Sequence, residues 1–307
     1  MVDSNATTGF SVSMASFTCG AICNIFSYLL FKHYNYSMVL IYGDVLMDVL
    51  IFEEAPKVYA SDAQARALVV PGGSAFNTAR HAARCGANAG ILGCVGTDGG
   101  YGFFMEAGQR YGINMLLTRK EGFTGTLLVR HEKGERNMWS SPNVARSYIS
   151  VPEVDIDWLH ISGYALFHPE SSKVVQELTA KAKSSGAVLS VDAASYEPLK
   201  QHLDSFLQAT RGFDFLFANE HEMGVLAQTD YYYRHVVVKQ GSRGATVDGV
   251  QVEAPRVEVV STLGAGDCFN GVFIAEVSKG TALVEACRKA SAEASRWVAT
   301  DFERRYF

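Results

Sequence analysis

From Trp158 onward, short apolar runs alternate with amphipathic stretches, and that rhythm leaves few folds open to the chain. WLHIS (158–162), VLSVDA (188–193), FDFLF (213–217) and HVVVK (235–239) are nearly apolar throughout rather than on alternate positions. A strand with no polar side is buried on both faces, as in a parallel sheet covered by helices. The segments between them suit that reading. Pro169 is a favoured first helical residue, Val174, Val175, Leu178 and Ala182 share one helical face, and Gly186 ends the run. Further helices are expected over Glu197–Ala209 and Thr281–Ala299. Upstream, Val39–Tyr42 and Ala89–Val95 read as strands of the same kind. Repeated βα units predict an α/β fold, with a mostly parallel sheet sandwiched by helices.

Two β-rich patches, Val49–Val70 and Leu117–Ser140, break the alternation. In the second, Thr124–Arg130 and Asn137–Ser140 flank HEKGER (131–136), which reads as a hairpin with Gly134 in its turn. The patches predict a small sheet inserted as a lid, with segments near 49–70 and 117–140 of a domain spanning 38–307. Residues 1–37 are expected to be an extension outside the fold. Their apolar stretch 14–31 is near the lower limit for a membrane span and lacks the positive flank of a signal peptide, which keeps a targeting segment as the lesser alternative.

Bulk properties exclude several classes. The net charge of −5 and the absence of a Lys/Arg cluster speak against a nucleic-acid partner. The six cysteines form no CxxC pair, so free thiols and a reduced, cytoplasmic compartment are expected. GxxxxGK[ST], GxGxxG after a strand, HExxH and GxSxG are all missing, which removes the usual support for P-loop, dinucleotide, zinc-protease and serine-hydrolase chemistry.

The polar motifs fall where strands end. Asp44 and Asp48 follow the first strand, Pro71-Gly72-Gly73-Ser74 opens a helix with Asn77 in its first turn, and Ala218–Glu222 follows the FDFLF strand. Ligands of open parallel sheets collect at such carboxyl ends. The most distinctive stretch is Val257–Phe273, VEVVSTLGAGDCFNGVF. Gly264-Ala265-Gly266 brings backbone N–H groups close to any ligand at a helix N-terminus, which is an anion cradle. Asp267 beside it reads equally as a helix cap or as a general base that takes a proton from a substrate alcohol.

Taken in order, these stretches resemble the ribokinase-like (PfkB) family of carbohydrate and nucleoside kinases. Gly72-Gly73-Ser74-Ala75-Phe76-Asn77 is similar to the family's GGxxxN signature, and Thr262–Asp267 to its TxGAGD signature. GDVLMD (43–48), GCVGTDGGYG (93–102), GER (134–136), ANEHE (218–222) and VKQGSRGA (238–245) support the match. The resemblance implies a three-layer α/β/α sandwich with a β-lid, and transfer of the γ-phosphate of ATP to a hydroxymethyl group of a small sugar. A nucleoside kinase is the alternative, and a non-catalytic sugar or nucleotide sensor a third. It implies Asp267 as base, with Gly264, Ala265 and Gly266 as the anion hole. Asp48, Gly72, Gly73, Asn77 and Glu135 would hold the acceptor. Asn219, Glu222, Lys239, Gly241 and Gly244 would serve the nucleotide, Glu222 holding Mg2+ through water. Two departures stand out. Ser261 replaces an Asp that belongs to a monovalent-cation site in many members, which puts K+ activation in doubt, and the chain ends in an unusual DFERRYF (301–307). Family members often dimerise through the lid, and the β-branched run near Thr124–Val129 permits a homodimer.

Overall fold

The computed structural model describes residues 38–53, 60–62, 64–132 and 135–306; the expectations for 1–37 and for the Gly134 turn lie outside the described residues. The chain begins with β1 (Met38–Tyr42), β2 (Leu46–Glu53) and β3 (Ala65–Gly72), leading into α1 (Ser74–Arg84). β4 (Asn88–Val95), α2 (Gly100–Tyr111) and β5 (Asn114–Arg119) follow, then β6 (Gly125–Glu132) and β7 (Glu135–Ser141). The regular half runs β8 (Trp158–Ser162), α3 (Pro169–Ser184), β9 (Val188–Asp192), α4 (Tyr196–Gln201), α5 (Leu203–Ala209), β10 (Phe215–Asn219), α6 (Glu220–Leu226) and β11 (His235–Lys239). It closes with β12 (Ala245–Val247), β13 (Val250–Val252), α7 (Ala265–Ser278), α8 (Leu283–Ala299) and α9 (Phe302–Tyr306).

A nine-stranded sheet runs in the order β13-β12-β11-β10-β9-β8-β1-β4-β5, and a four-stranded sheet in the order β3-β2-β6-β7. The large sheet is parallel from β5 to β11, with the antiparallel β12–β13 hairpin on one edge. Its centre shows why apolar residues filled both sides of the strands. Val39 and Ile41 of β1 enter one core with Phe76, Phe104 and Phe273, whereas Leu40 and Tyr42 enter the other with Val174, Leu178 and Phe206. Each Val, Leu, Ile or Phe side chain removed from water contributes roughly 1.5–3 kcal/mol. One core lies beneath α1, α2, α7 and α8, the other beneath α3 to α6, and these are the layers of the sandwich.

Three details differ from the sequence reading. Leu117–Arg119 belongs to β5 of the large sheet, paired with β4, and the small sheet resumes only at Gly125. The helix expected over Glu197–Ala209 is two helices, because His202 leaves helical geometry at φ −120° and its ring stacks on Phe167 at 5.6 Å. The tail 302–306 forms α9, whose Phe302, Arg305 and Tyr306 are buried.

One close approach fixes how two helices cross. A Cβ on Gly271 would lie 2.3 Å from the Thr78 carbonyl, so only glycine lets α7 cross α1 at backbone distance. That crossing carries the two glycine-rich motifs together.

Candidate active site

The carboxyl ends of the parallel strands open into a cleft of about 1190 Å³. Asp44 follows β1, Asp192 ends β9, Asn219 ends β10 and Lys239 ends β11, and all four line it. The roof is one face of the small sheet. Register pairs Asp48 of β2 with Leu127 of β6, and Leu127 with Ser140 of β7, and these three side chains look into the cleft.

Its floor is the start of α7. Gly264 is the N-cap, in the left-handed region at φ 73°, and Ala265 and Gly266 begin the helix. The first N–H groups of a helix have no intrahelical partner; here Ala265 N donates to the Thr262 carbonyl at 3.2 Å, and Gly264, Ala265 and Gly266 all line the cleft. Asp267 is therefore not the cap. Its carboxylate turns to α1, accepting from Ser74 Oγ at 2.9 Å and from Asn77 Nδ2 at 3.3 Å. Burial and the nearby Asp192 charge push its carboxyl up to about 7, against the pull of Ser74, Lys239 and Asn77.

Asp48 is also buried, and its Oδ1 has no hydrogen-bond partner among the described residues. Burial first, then the charge of Asp267, raise it to about 8, although Arg80 and the Gly73 N–H oppose them. A buried, unsatisfied carboxyl oxygen aimed at a cleft is suited to a ligand hydroxyl. Gly72 lies against it, since a Cβ there would meet the Asp48 carboxyl at 2.1 Å.

Beyond Asp267 sits a buried ion pair. Lys239 Nζ donates to Asp192 Oδ2 at 2.5 Å, and Asn270 Nδ2 donates to the same oxygen. Burial pushes Asp192 up, but Lys239 and Asn270 outweigh it and hold the carboxyl below its ordinary value. Asn219 and Glu222 form a capping box for α6: Glu222 N donates to Asn219 Oδ1 at 3.0 Å, and Glu222 Oε2 takes the Asn219 N–H at 2.7 Å. The Asn219 amide occupies Oε1 as well, at 2.6 Å. This geometry gives both residues a structural use, yet Glu222 is buried on the cleft wall, and burial together with Asp192 raises its carboxyl.

Of the residues singled out from sequence, Asp48, Gly73, Asn77, Gly264, Ala265, Gly266 and Asp267 come together at the cleft floor and roof, with Gly72 behind Asp48. Asn219, Glu222, Lys239, Gly241 and Gly244 line the continuation. Of Glu135 the backbone is described, at the start of β7. Ser74, Asp192, Asn270 and Arg146 were not singled out. Arg146 forks onto Asp44 through Nε and Nη2, the shortest contact 2.7 Å, and both line the cleft. A strand ending in an acid was the only local signal for Asp192.

Ser261 is buried in the turn before Gly264, where its Oγ accepts from Leu263 N at 3.2 Å. Its carbonyl takes Arg305 Nη2 at 2.9 Å, and the same guanidinium reaches the carbonyls of Val298 and Thr300.

Residues 37–301 match the family described as pfkB family carbohydrate kinase. The chain belongs to the PfkB family of carbohydrate kinases. It is similar to an uncharacterized sugar kinase of Archaeoglobus fulgidus, 26% identical over 67% of this chain and 89% of the relative. A cytidine kinase of Thermococcus kodakarensis is 24% identical over 81% of this chain and 92% of its own length. Among solved structures, a Ribokinase II from E. coli in complex with ATP and Mg2+ superimposes with a TM-score of 0.77 at 23% identity. That match covers 86% of this chain and 94% of the other. An adenosine kinase from Sinorhizobium meliloti reaches 0.74 at 21% identity, covering 86% and 94%. The family and the ribokinase-like fold implied by the GGxxxN and TxGAGD motifs are thus borne out, and this carbohydrate kinase is an enzyme of the ATP-binding kind. Among the described residues, no helix is long and apolar enough to cross a membrane.

Proposed function

We propose that this PfkB kinase transfers the γ-phosphate of ATP to a hydroxymethyl group of a small sugar, with Asp267 as general base. The observation that carries the reading is the placement of Asp267. Its carboxylate is held from α1 by Ser74 and Asn77, in the first turn of α7, and burial pushes it up to about 7. A base works best with a pKa near the operating pH, and such a base contributes on the order of 10²–10⁴ in rate.

The groups around it fit magnesium-ATP. The helix N-terminus and the bulk-free Gly264–Gly266 turn suit a polyphosphate, and Lys239 Nζ lies 3.4 Å from where a Gly266 Cβ would stand. Both Glu222 oxygens are taken by Asn219, so Glu222 would hold Mg2+ through water. Among the described residues no cluster of three or more acids, histidines or cysteines could hold a metal, which leaves phosphates and water as its main ligands. ATP supplies the phosphoryl group, and Mg2+ neutralises its charge. Asp48, largely protonated at neutral pH, would hold a sugar hydroxyl with its free Oδ1. Asp267 would take the proton of the hydroxymethyl O–H as that oxygen bonds to the γ-phosphorus and the bond to ADP breaks, while the N–H groups of Gly264 and Gly266, with Ala265 between them, would face the charge developing on phosphorus-bound oxygens. Gly241 and Gly244 would flank the nucleotide.

A nucleoside acceptor is the second reading. Leu46, Leu127 and Met138 give the roof an apolar patch that a base could cover, and an Aminoimidazole riboside kinase of Salmonella typhimurium is 24% identical over 73% of this chain. Potassium independence belongs to the proposal too, because Arg305 already places a fixed cation on the Ser261 carbonyl. So does a homodimer through the lid. Val49, Val69, Leu128 and Trp139 share the face of the small sheet turned away from the cleft, and Val69 and Trp139 are about half exposed.

The test is ADP release on a panel of pentoses, hexoses and nucleosides with magnesium-ATP, with and without K+. One acceptor raising turnover well above background, equally in both salts, is expected. Asp267→Asn should cut that turnover by about 10²–10⁴ while keeping acceptor binding. Turnover of no compound, or an unimpaired Asp267→Asn, would overturn the reading; binding without turnover would favour a sensor.

A further inference from the structure

Arg80 heads the largest fully buried side chains of the described residues, with 0% exposure. No carboxylate pairs with it among the described residues. Three aromatic rings cover the guanidinium instead: Trp297 at 4.7 Å, Tyr306 at 4.8 Å and Tyr111 at 5.6 Å from its carbon. Nη2 donates to Asn77 Oδ1 at 3.2 Å, whereas Nε and Nη1 meet no acceptor in hydrogen-bond geometry among the described residues. Burying a charge with unmet donors opposes folding, and replacing it by an apolar group of like volume is often neutral or stabilising. The three rings offset part of that cost as cation–π partners, but they ask for no particular donor, whereas the one hydrogen bond the guanidinium makes among the described residues goes to Asn77 and points to function.

The return is visible one turn earlier on the helix. Asn77 and Arg80 are three residues apart on α1 and share its face. An amide in that position presents either oxygen or nitrogen to a neighbour. With Arg80 on Oδ1, the nitrogen is the end left for Asp267 Oδ2, where it stands 3.3 Å away. The reverse orientation would set an amide oxygen against a carboxylate. The charge of the guanidinium also favours the ionised form of Asp48.

We propose that Arg80 is a positioning residue for the acceptor site: through Asn77 it fixes the amide that holds Asp267, and through space it moderates Asp48. The inference rests on the kinase reading for its catalytic arm only. Asp48 is faced by Asp267, Arg80 and Tyr306, Arg80 by His81, Tyr306, Cys268 and Arg305, and Asp267 by Asp192, Lys239 and Tyr164. His81 is held well below its ordinary value and Tyr306 above its own, so neither titrates between about pH 7 and pH 9.

Arg80→Met and Arg80→Gln, compared with wild type by urea unfolding at both pH values and by turnover of whichever panel acceptor the wild type phosphorylates, test this. Arg80→Met is expected to unfold at the wild-type urea concentration or above it near pH 7. Its kcat should nevertheless fall by at least about tenfold with the KM for ATP unchanged, the split of a misplaced base. The folded carboxyl of Asp48 stands above its unfolded value, so its contribution to stability declines as pH rises towards the folded value. Without Arg80 that value is higher, and the decline from pH 7 to pH 9 should be steeper than in wild type. Arg80→Gln keeps a donor for Asn77 without the charge, so it should recover kcat towards wild type and retain the steeper decline. A kcat in Arg80→Met within about twofold of wild type, a stability loss in step with the activity loss, or failure of both variants to fold would each overturn the proposal. A wild type idle on the whole panel sinks the kinase reading instead, and the unfolding comparison then decides the charge coupling alone.

Discussion

Asp192→Asn separates the charge of the buried pair from its shape. The acid is 6% exposed, and one of its oxygens receives both Lys239 Nζ and Asn270 Nδ2, each at 2.5 Å. After burial, it is the largest influence holding Asp267 up near 7. Asparagine keeps the volume and removes the charge, so Asp267 loses a neighbour that opposes its ionisation. Lys239, no longer neutralised, then favours that ionisation more strongly. Both changes act in the same direction. An unopposed opposite charge nearby lowers a carboxylate by about 1–3 units, each worth about 1.4 kcal/mol. The base form of Asp267 is present above its pKa and lost as pH falls through it, so the acidic limb of kcat/KM should move down by about one to two units from a position near 7. The plateau should fall, because a more acidic carboxyl is the weaker base. Stability should fall too: a buried ammonium stripped of its partner costs about 3–5 kcal/mol. The profile is measured at saturating magnesium-ATP, and the stability by urea unfolding. A limb that stays in place or moves up refutes the idea that Asp192 sets the basicity of Asp267. A variant as stable as wild type refutes the buried pair.

Gly72→Ala would force a methyl into the Asp48 carboxyl, 2.1 Å from the nearest oxygen, and should raise the acceptor KM about tenfold while leaving the KM for ATP unchanged. Equal changes in both constants in steady-state kinetics would deny Asp48 an acceptor role. Trp139→Glu, on the outer face of the lid, should convert a homodimer to a monomer in light scattering without lowering turnover per chain at saturating substrate. A wild type that is monomeric at all concentrations refutes that interface.

Much of the fold was legible because burial on both faces leaves a local mark. Val39 and Leu40 go to opposite cores, and a parallel central strand must therefore be apolar at consecutive positions. The lid was legible only as a break in rhythm. Its strand order depends on β2 lying parallel to β6 across more than seventy residues, which no neighbouring pattern encodes. The helix break at His202 was hidden for a similar reason, since the Phe167 ring that stacks on it comes from the preceding βα unit. The glycine motifs announced themselves, because close backbone approach demands consecutive small residues. Asn219 and Glu222 were legible as an N-x-x-E pair, three apart on one helix start.

What was not legible is the electrostatics, and the separations show why. Ser74 and Asp267 lie 193 residues apart, Asn77 and Asp267 190, and Asp192 and Asn270 78. Each contact exists because α7 crosses α1 at the single position where Gly271 admits the Thr78 carbonyl, and because β9 and β11 both end at the cleft. An isolated Asp beside GAG reads equally as a cap or a base, since the sequence carries the carboxyl group but not its distance from other charges. Once Asp48, Asp192 and Asp267 share one cleft with Lys239, their proton affinities are no longer separate properties. Asp192 gives way to the ammonium and ionises readily, which leaves Asp267 and Asp48 as the carboxyls held up near 7 and 8. Acids pushed apart in this way can divide the work, one binding a hydroxyl as a neutral group and one removing a proton. The pair Asp192–Lys239 is thus as much a part of the proposed acid–base arrangement as Asp267, the residue proposed to receive the proton.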